Sequence, residues 1–210
     1  MTEFWPELLT KASWQKLQHM KSEIRDFIVI GGWAFYLWTG MHKSKDIDII
    51  VDFKVLEKLK QKYELVKNLK LRKYEIKFDK FDIDIYVSHF SKFALPIEAI
   101  KKTIVQVQGF STPRPEVLLI LKQGAEITRR GSVKGEKDAI DIITLLNRAP
   151  FDMDVYATLI KKYGLTNYAV ELAKVIKSFD ARHAEHVGMS YKEFNKWKKD
   201  ILAQLKKFSL

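Results

Sequence analysis

The sequence predicts a mixed α/β half followed by an all-helical half, and three observations carry that reading. Short apolar or alternating runs at Phe27–Ile30, 46–52, 74–78, 82–88 and 103–110 have the length and period of strands. Segments with helical apolar spacing are interleaved among them. From residue 151 onward only helical spacing remains, at 152–163, 166–182 and 190–207. The expected division is an α/β domain over 1–112 and a helical domain over 113–210, a mixed-sheet core followed by a helical bundle. With 210 residues and 47% apolar content, the chain can bury a real core in one large domain or two small ones.

Taken in order, Pro6 opens a helix whose apolar positions are Leu8, Leu9, Ala12, Trp14, Leu17 and Met20. Phe27–Ile30 is wholly apolar and reads as a strand buried on both faces. Gly31 and Gly32 end it, 33–38 is a short helix, and Gly40 stops that helix. A strand follows over 46–52. Leu56, Leu59, Tyr63 and Val66 predict a helix over 55–69 with lysines outside. The runs 74–78 and 82–88 read as a hairpin, with Asp79 in its turn. One or two helical turns at 96–101, a strand at 103–110 and a helix at 115–126 come next. The polar stretch 130–137 reads as a loop, and 138–148 is helical up to Pro150.

Composition excludes several kinds of chemistry. The chain has no cysteine, which removes disulfides, thiolate metal sites and cysteine nucleophiles and suits a reducing cytoplasm. No apolar run has the length of a membrane span, which takes about 20 residues. The opening segment has an early acid and no continuous apolar core, so it is not read as a signal peptide. The net charge of +11 is spread along the chain and suits either a polyanionic partner or simple solubility.

The chemistry centres on two strands with one pattern. Asp46 and Asp48 alternate with Ile47 and Ile49, so both acids share a face about 7 Å apart. The pair alone reads equally as an acidic solvent face or as donors to a hard cation. Asp82 and Asp84 repeat the pattern against Ile83 and Ile85. Side by side, the two strands would gather three or four carboxylates, a cluster that repels itself unless a cation relieves it. The paired glycines at 31 and 32 would let backbone amides approach a phosphate. Lys43 and Ser44 stand at the strand entrance. Further on, Lys122, Ala125 and Arg129 share a helical face, and Lys122 either snorkels or reaches an anion. Asp138 and Asp141, at i and i+3, are read as members of an internal ion-pair network. His183 and His186 are read as solvent-facing or core residues. Trp197 is read as the buried residue of a helix face, with base stacking among its lysine neighbours as the alternative.

The order Gly-Gly-x-Ala, Lys-Ser-Lys-Asp-Ile-Asp and a later strand aspartate resembles the nucleotidyltransferase fold of the DNA polymerase β superfamily. Lys122, Ala125, Arg129 and Lys137-Asp138-x-x-Asp141 look like the AbiEii-type branch of toxin nucleotidyltransferases, and the whole is similar to small antibiotic nucleotidyltransferases. The resemblance covers about residues 27–146. The chain departs from the branch pattern at Lys43 and Lys137, where arginine is commoner. The resemblance implies a cytoplasmic enzyme that moves a nucleoside monophosphate from an NTP to a hydroxyl of RNA, tRNA, a protein or a small molecule. It also allows a toxin held by an antitoxin protein, or an inactive nucleotide- or RNA-binding module. It implies Mg²⁺ or Mn²⁺ on Asp46, Asp48 and Asp84, with Asp82 as the alternative third carboxylate and Asp84 as general base. Gly31, Gly32, Lys43, Ser44, Lys122 and Arg129 would contact the nucleotide.

Overall fold

A computed structural model describes residues 5–208. It divides into two compact units between Arg114 and Pro115. The first four residues of the segment read as no signal peptide lie outside the described residues. No helix among the described residues is long and apolar enough to cross a membrane.

The N-terminal unit opens on α1 (Glu7–Glu23), whose buried Leu17 and Met20 face the core. It continues through β1 (Phe27–Ile30), α2 (Gly31–Thr39), β2 (Ile47–Val51) and α3 (Phe53–Lys62). Then come β3 (Val66–Asn68), β4 (Lys73–Lys77), β5 (Asp82–Tyr86), α4 (Ile97–Lys101), β6 (Ile104–Val107) and β7 (Phe110–Pro113). Five strands form one mixed sheet in the order β1-β2-β5-β4-β3, with β2 and β5 parallel and every other pair antiparallel. The strand period puts Ile47, Ile49, Ile83 and Ile85 on one face, and all four are fully buried. The acids of both strands therefore lie together on the other face.

Three expectations are corrected here. The helix read over 55–69 ends at Lys62, because Tyr63 turns extended and Val66–Asn68 pairs with β4 as an edge strand. The single strand read over 103–110 is a hairpin of β6 and β7. Gln108 and Gly109 both take positive φ, 51° and 76°, as a two-residue turn that matches strand twist requires. Gly31 and Gly32 do not precede a helix; they are its first two residues.

Thr112 on β7 is fully buried, and its hydroxyl has no hydrogen-bond partner. An isosteric methyl removes that stranded polar atom. Thr112→Val is expected to raise stability by about 1 kcal/mol, read as a higher urea midpoint.

The C-terminal unit is helical: α5 (Pro115–Arg129), α6 (Val133–Arg148), α7 (Met153–Lys162), α8 (Asn167–Ser178), a 3₁₀ turn at Ala181–Val187, and α9 (Tyr191–Lys206). The loop expected over 130–137 is mostly helix. The Ser132 hydroxyl accepts the Gly135 N–H at 3.1 Å and starts α6 early. Asp152 caps α7, and Ser190 with Glu193 forms a capping box on α9. Pairing of α5 with α6 is polar at its centre. Lys122 Nζ donates to Asp138 at 3.1 Å and Asp141 at 2.9 Å, Arg129 grips Asp138 through two N–H groups, and Lys137 donates to Asp141.

Candidate active site

The register of β2 on β5 pairs Asp48 with Asp84, and β5 on β4 pairs Asp84 with Glu75. Neighbouring strands lie about 4.8 Å apart, so three carboxylates form a row across the sheet. Asp46, just before β2, accepts the Asp82 N–H at 3.1 Å and so anchors the strand entrance to β5. Tyr86 donates its hydroxyl to Asp48 Oδ1 at 3.2 Å.

Lys73 on β4 sits among these acids. Its Nζ lies 2.5 Å from Asp84 Oδ2 and 2.9 Å from Glu75 Oε1. Asn68 donates to the same Glu75 oxygen at 3.1 Å. The other Asp84 oxygen, Oδ1, is buried and has no hydrogen-bond partner. Burial pushes the Asp84 carboxyl above its usual range; Lys73 pulls it back, while Glu75 and Asp46 add to the upward push. Asp82 faces outward, 36% exposed, and pairs with Lys77 at 2.9 Å.

The start of α2 closes one side of the row. Gly31 has φ +61°, and a Cβ there would fall 2.1 Å from Asp48 Oδ2; a Cβ on Gly32 would fall 2.5 Å from the Ser44 hydroxyl. Both glycines are therefore required by contact with the acid strand and its entrance, and their amides open a helix with no side-chain cap. Gly31→Ala is expected to cost about 1–3 kcal/mol in strain and to displace Asp48. The check is a urea midpoint together with the loss of the Tyr86–Asp48 contact in a variant structure.

Ser44 positions the strand entrance. Its hydroxyl donates to the Asp46 carbonyl at 2.9 Å, and its own carbonyl accepts from Ser13 at the same distance. The Ser13 hydroxyl in turn accepts from the Trp33 indole at 3.2 Å, which ties α1 and α2 to this loop. Lys43 is half-buried one residue earlier.

Asp46, Asp48, Asp84, Asp82, Gly31, Gly32, Lys43 and Ser44 thus belong to one unit, around the β2–β5 seam. Lys122 and Arg129 belong to the helical unit, where Asp138 and Asp141 match their charges as the internal network anticipated. Lys73, Glu75 and Tyr86 escaped the sequence reading. Their signal was the alternation Lys73-Glu75-Lys77, which joins the acid face once the hairpin register is known. His183 is exposed and lies 5.8 Å from His186, ring to ring. Trp197 is half-buried on α9 and lines an open cleft of about 450 Å³ with Phe151 and Met153.

The donor chemistry of the acid row suits a hard divalent cation: carboxylates on adjacent strands and one buried oxygen with no partner. Among the described residues no three acidic or imidazole side chains already stand together as a cage. The Lys73 ammonium holds the position beside Asp84.

No protein-family model matches the chain, and no curated protein matches it. Among solved structures, the chain is similar to JHP933 from Helicobacter pylori at 12% identity and a TM-score of 0.49, covering 97% of this chain and 93% of that one. It is also similar to an antigenic nucleotidyltransferase-like protein from Paracoccidioides brasiliensis at 19% identity and a TM-score of 0.39, covering 78% and 91%.

Proposed function

We propose that the N-terminal unit is a nucleotidyltransferase of the DNA polymerase β type, in which an acceptor hydroxyl attacks the α-phosphorus of an NTP, the α–β phosphoanhydride bond breaks and pyrophosphate leaves. The observation that carries this reading is the parallel register of Asp48 on Asp84, with the glycine start of α2 closed against Asp48. Asp46, Asp48 and Asp84 would hold Mg²⁺ or Mn²⁺. When bound, such an ion supplies charge stabilisation at the transferring phosphoryl group and a lower acceptor pKa. The Gly31 and Gly32 amides receive phosphate oxygens at the helix N-terminus. Asp84 takes the acceptor's proton, a role that a carboxyl raised by burial suits. Asp84 is favoured over Asp82 because it faces Asp48 and keeps a buried oxygen open, whereas Asp82 turns to Lys77.

The acceptors under this reading are RNA or tRNA, a protein, or a small molecule. Toxin activity restrained by an antitoxin belongs to the same proposal. Incubation with α-³²P-labelled NTPs, Mg²⁺ and a cell extract tests the reading. Label should appear in one acceptor class and vanish with EDTA. NTP binding that ignores EDTA, with no labelled product, would instead identify a binding module.

A further inference from the structure

The polar face of the sheet is unbalanced in charge. Asp46, Asp48, Asp82, Asp84 and Glu75 share it, and Lys73 and Lys77 of β4 lie among them. Lys77 is 55% exposed at the rim, whereas the Lys73 side chain is 12% exposed. A chain of net charge +11 has therefore kept an acid-rich face and placed the Lys73 ammonium within it. That ammonium touches two carboxylates, and Asp84 Oδ1 is a buried oxygen with no hydrogen-bond partner.

Resting on the nucleotidyltransferase reading, we infer that Lys73 is the chain's own counter-cation at this row and that a divalent ion enters by displacing its ammonium from Asp84. The released ammonium has a place to go. Glu75 already accepts from it at 2.9 Å and is held by Asn68 on its other side. The four-carbon lysine stem allows that shift without movement of the backbone. Lys73 is thus a positioning residue. With no ion bound it keeps Asp84 from repelling Asp46 and Glu75, and with an ion bound it partners Glu75 alone. The exchange also sets a threshold, because an ion must outcompete a preformed pair to bind.

The test is Mn²⁺ titration followed by electron paramagnetic resonance, on full-length wild type and on Lys73→Met, Lys73→Gln and Lys73→Arg. Removing a positive charge this close to a divalent site should tighten Mn²⁺ binding by about tenfold or more in the first two variants. Lys73→Arg keeps the charge and should keep wild-type affinity. Mn²⁺ should also raise Tm more in Lys73→Met and Lys73→Gln than in wild type, since the ion then supplies the missing counter-charge. Lys73→Gln retains hydrogen-bond donors and carries the test should the methionine variant not fold. Equal Mn²⁺ affinity in all four proteins would overturn the role of Lys73 while leaving the metal site standing. No Mn²⁺ binding by any of them would overturn the metal reading itself, and this inference with it.

Discussion

Replacing Asp141 with alanine is expected to destabilise the helical unit by about 3–5 kcal/mol, the range for removing one partner from a buried ion pair. Asp141 is 2% exposed between α5 and α6. It accepts from Lys122 at 2.9 Å and from Lys137, and both lysines are themselves largely buried. The alanine variant takes from Lys137 the carboxylate it donates to and from Lys122 its 2.9 Å contact. Native domains hold only about 5–15 kcal/mol in total, so the loss is a large share. Circular dichroism in urea should show an early transition. A contrasting pair is Glu57 with Lys60, which lies in solvent, 62% and 42% exposed. Glu57→Ala should leave the midpoint where it was.

The same network fixes the behaviour in acid. Burial alone would push the Asp141 carboxyl up, but Lys122 and Lys137 outweigh it and hold the group below its usual range. The unfolded chain then takes up the proton first as pH falls. The stabilisation is complete above the ordinary carboxylate value of about 3.9 and is lost as pH drops below it toward the folded value. Urea midpoints of the helical unit should be flat from about pH 5 to 8 and fall steeply below about pH 4. Asp141→Ala should lose much of that acid dependence.

The second large effect is at the acid row. Asp84→Asn should lower the proposed nucleotidyl transfer by about a thousandfold or more, because one substitution would remove both the proposed cation ligand and the proposed proton acceptor. The amide is nearly isosteric, and Lys73 keeps Glu75, so the fold should survive. Asp82→Asn makes the matching comparison. Its carboxyl faces Lys77 at the rim, and transfer should fall far less. Equal losses in the two variants would remove the distinction between the acids.

Much of this arrangement was legible because it rests on period and punctuation. The two Asp-Ile-Asp runs sort their isoleucines to the core and their acids outward by strand geometry alone. Gly40 stops α2 in the left-handed region, as read. What escaped depended on partners distant in sequence. Val66 fits a helical stripe on paper, and only pairing with Glu75 across an antiparallel edge makes it a strand. Gln108 became a turn because Phe110 pairs back onto Val107. Gly135 suggested a loop, yet Ser132 supplies the cap that carries the helix through it. Lys73 and Glu75 were invisible as site residues for the same reason. An alternating strand shows which residues share a face, but register alone decides that this face meets Asp84.

The claim at the centre is that Asp48 and Asp84 form a cation and nucleotide site. Crystals soaked with Mn²⁺ and a non-hydrolysable NTP test it through the manganese anomalous signal. The predicted result is a peak between the Asp48 and Asp84 carboxylates, with the triphosphate on the Gly31 and Gly32 amides and Lys73 withdrawn to Glu75. A map with no manganese there, and Lys73 still on Asp84 beside bound or absent nucleotide, would contradict it.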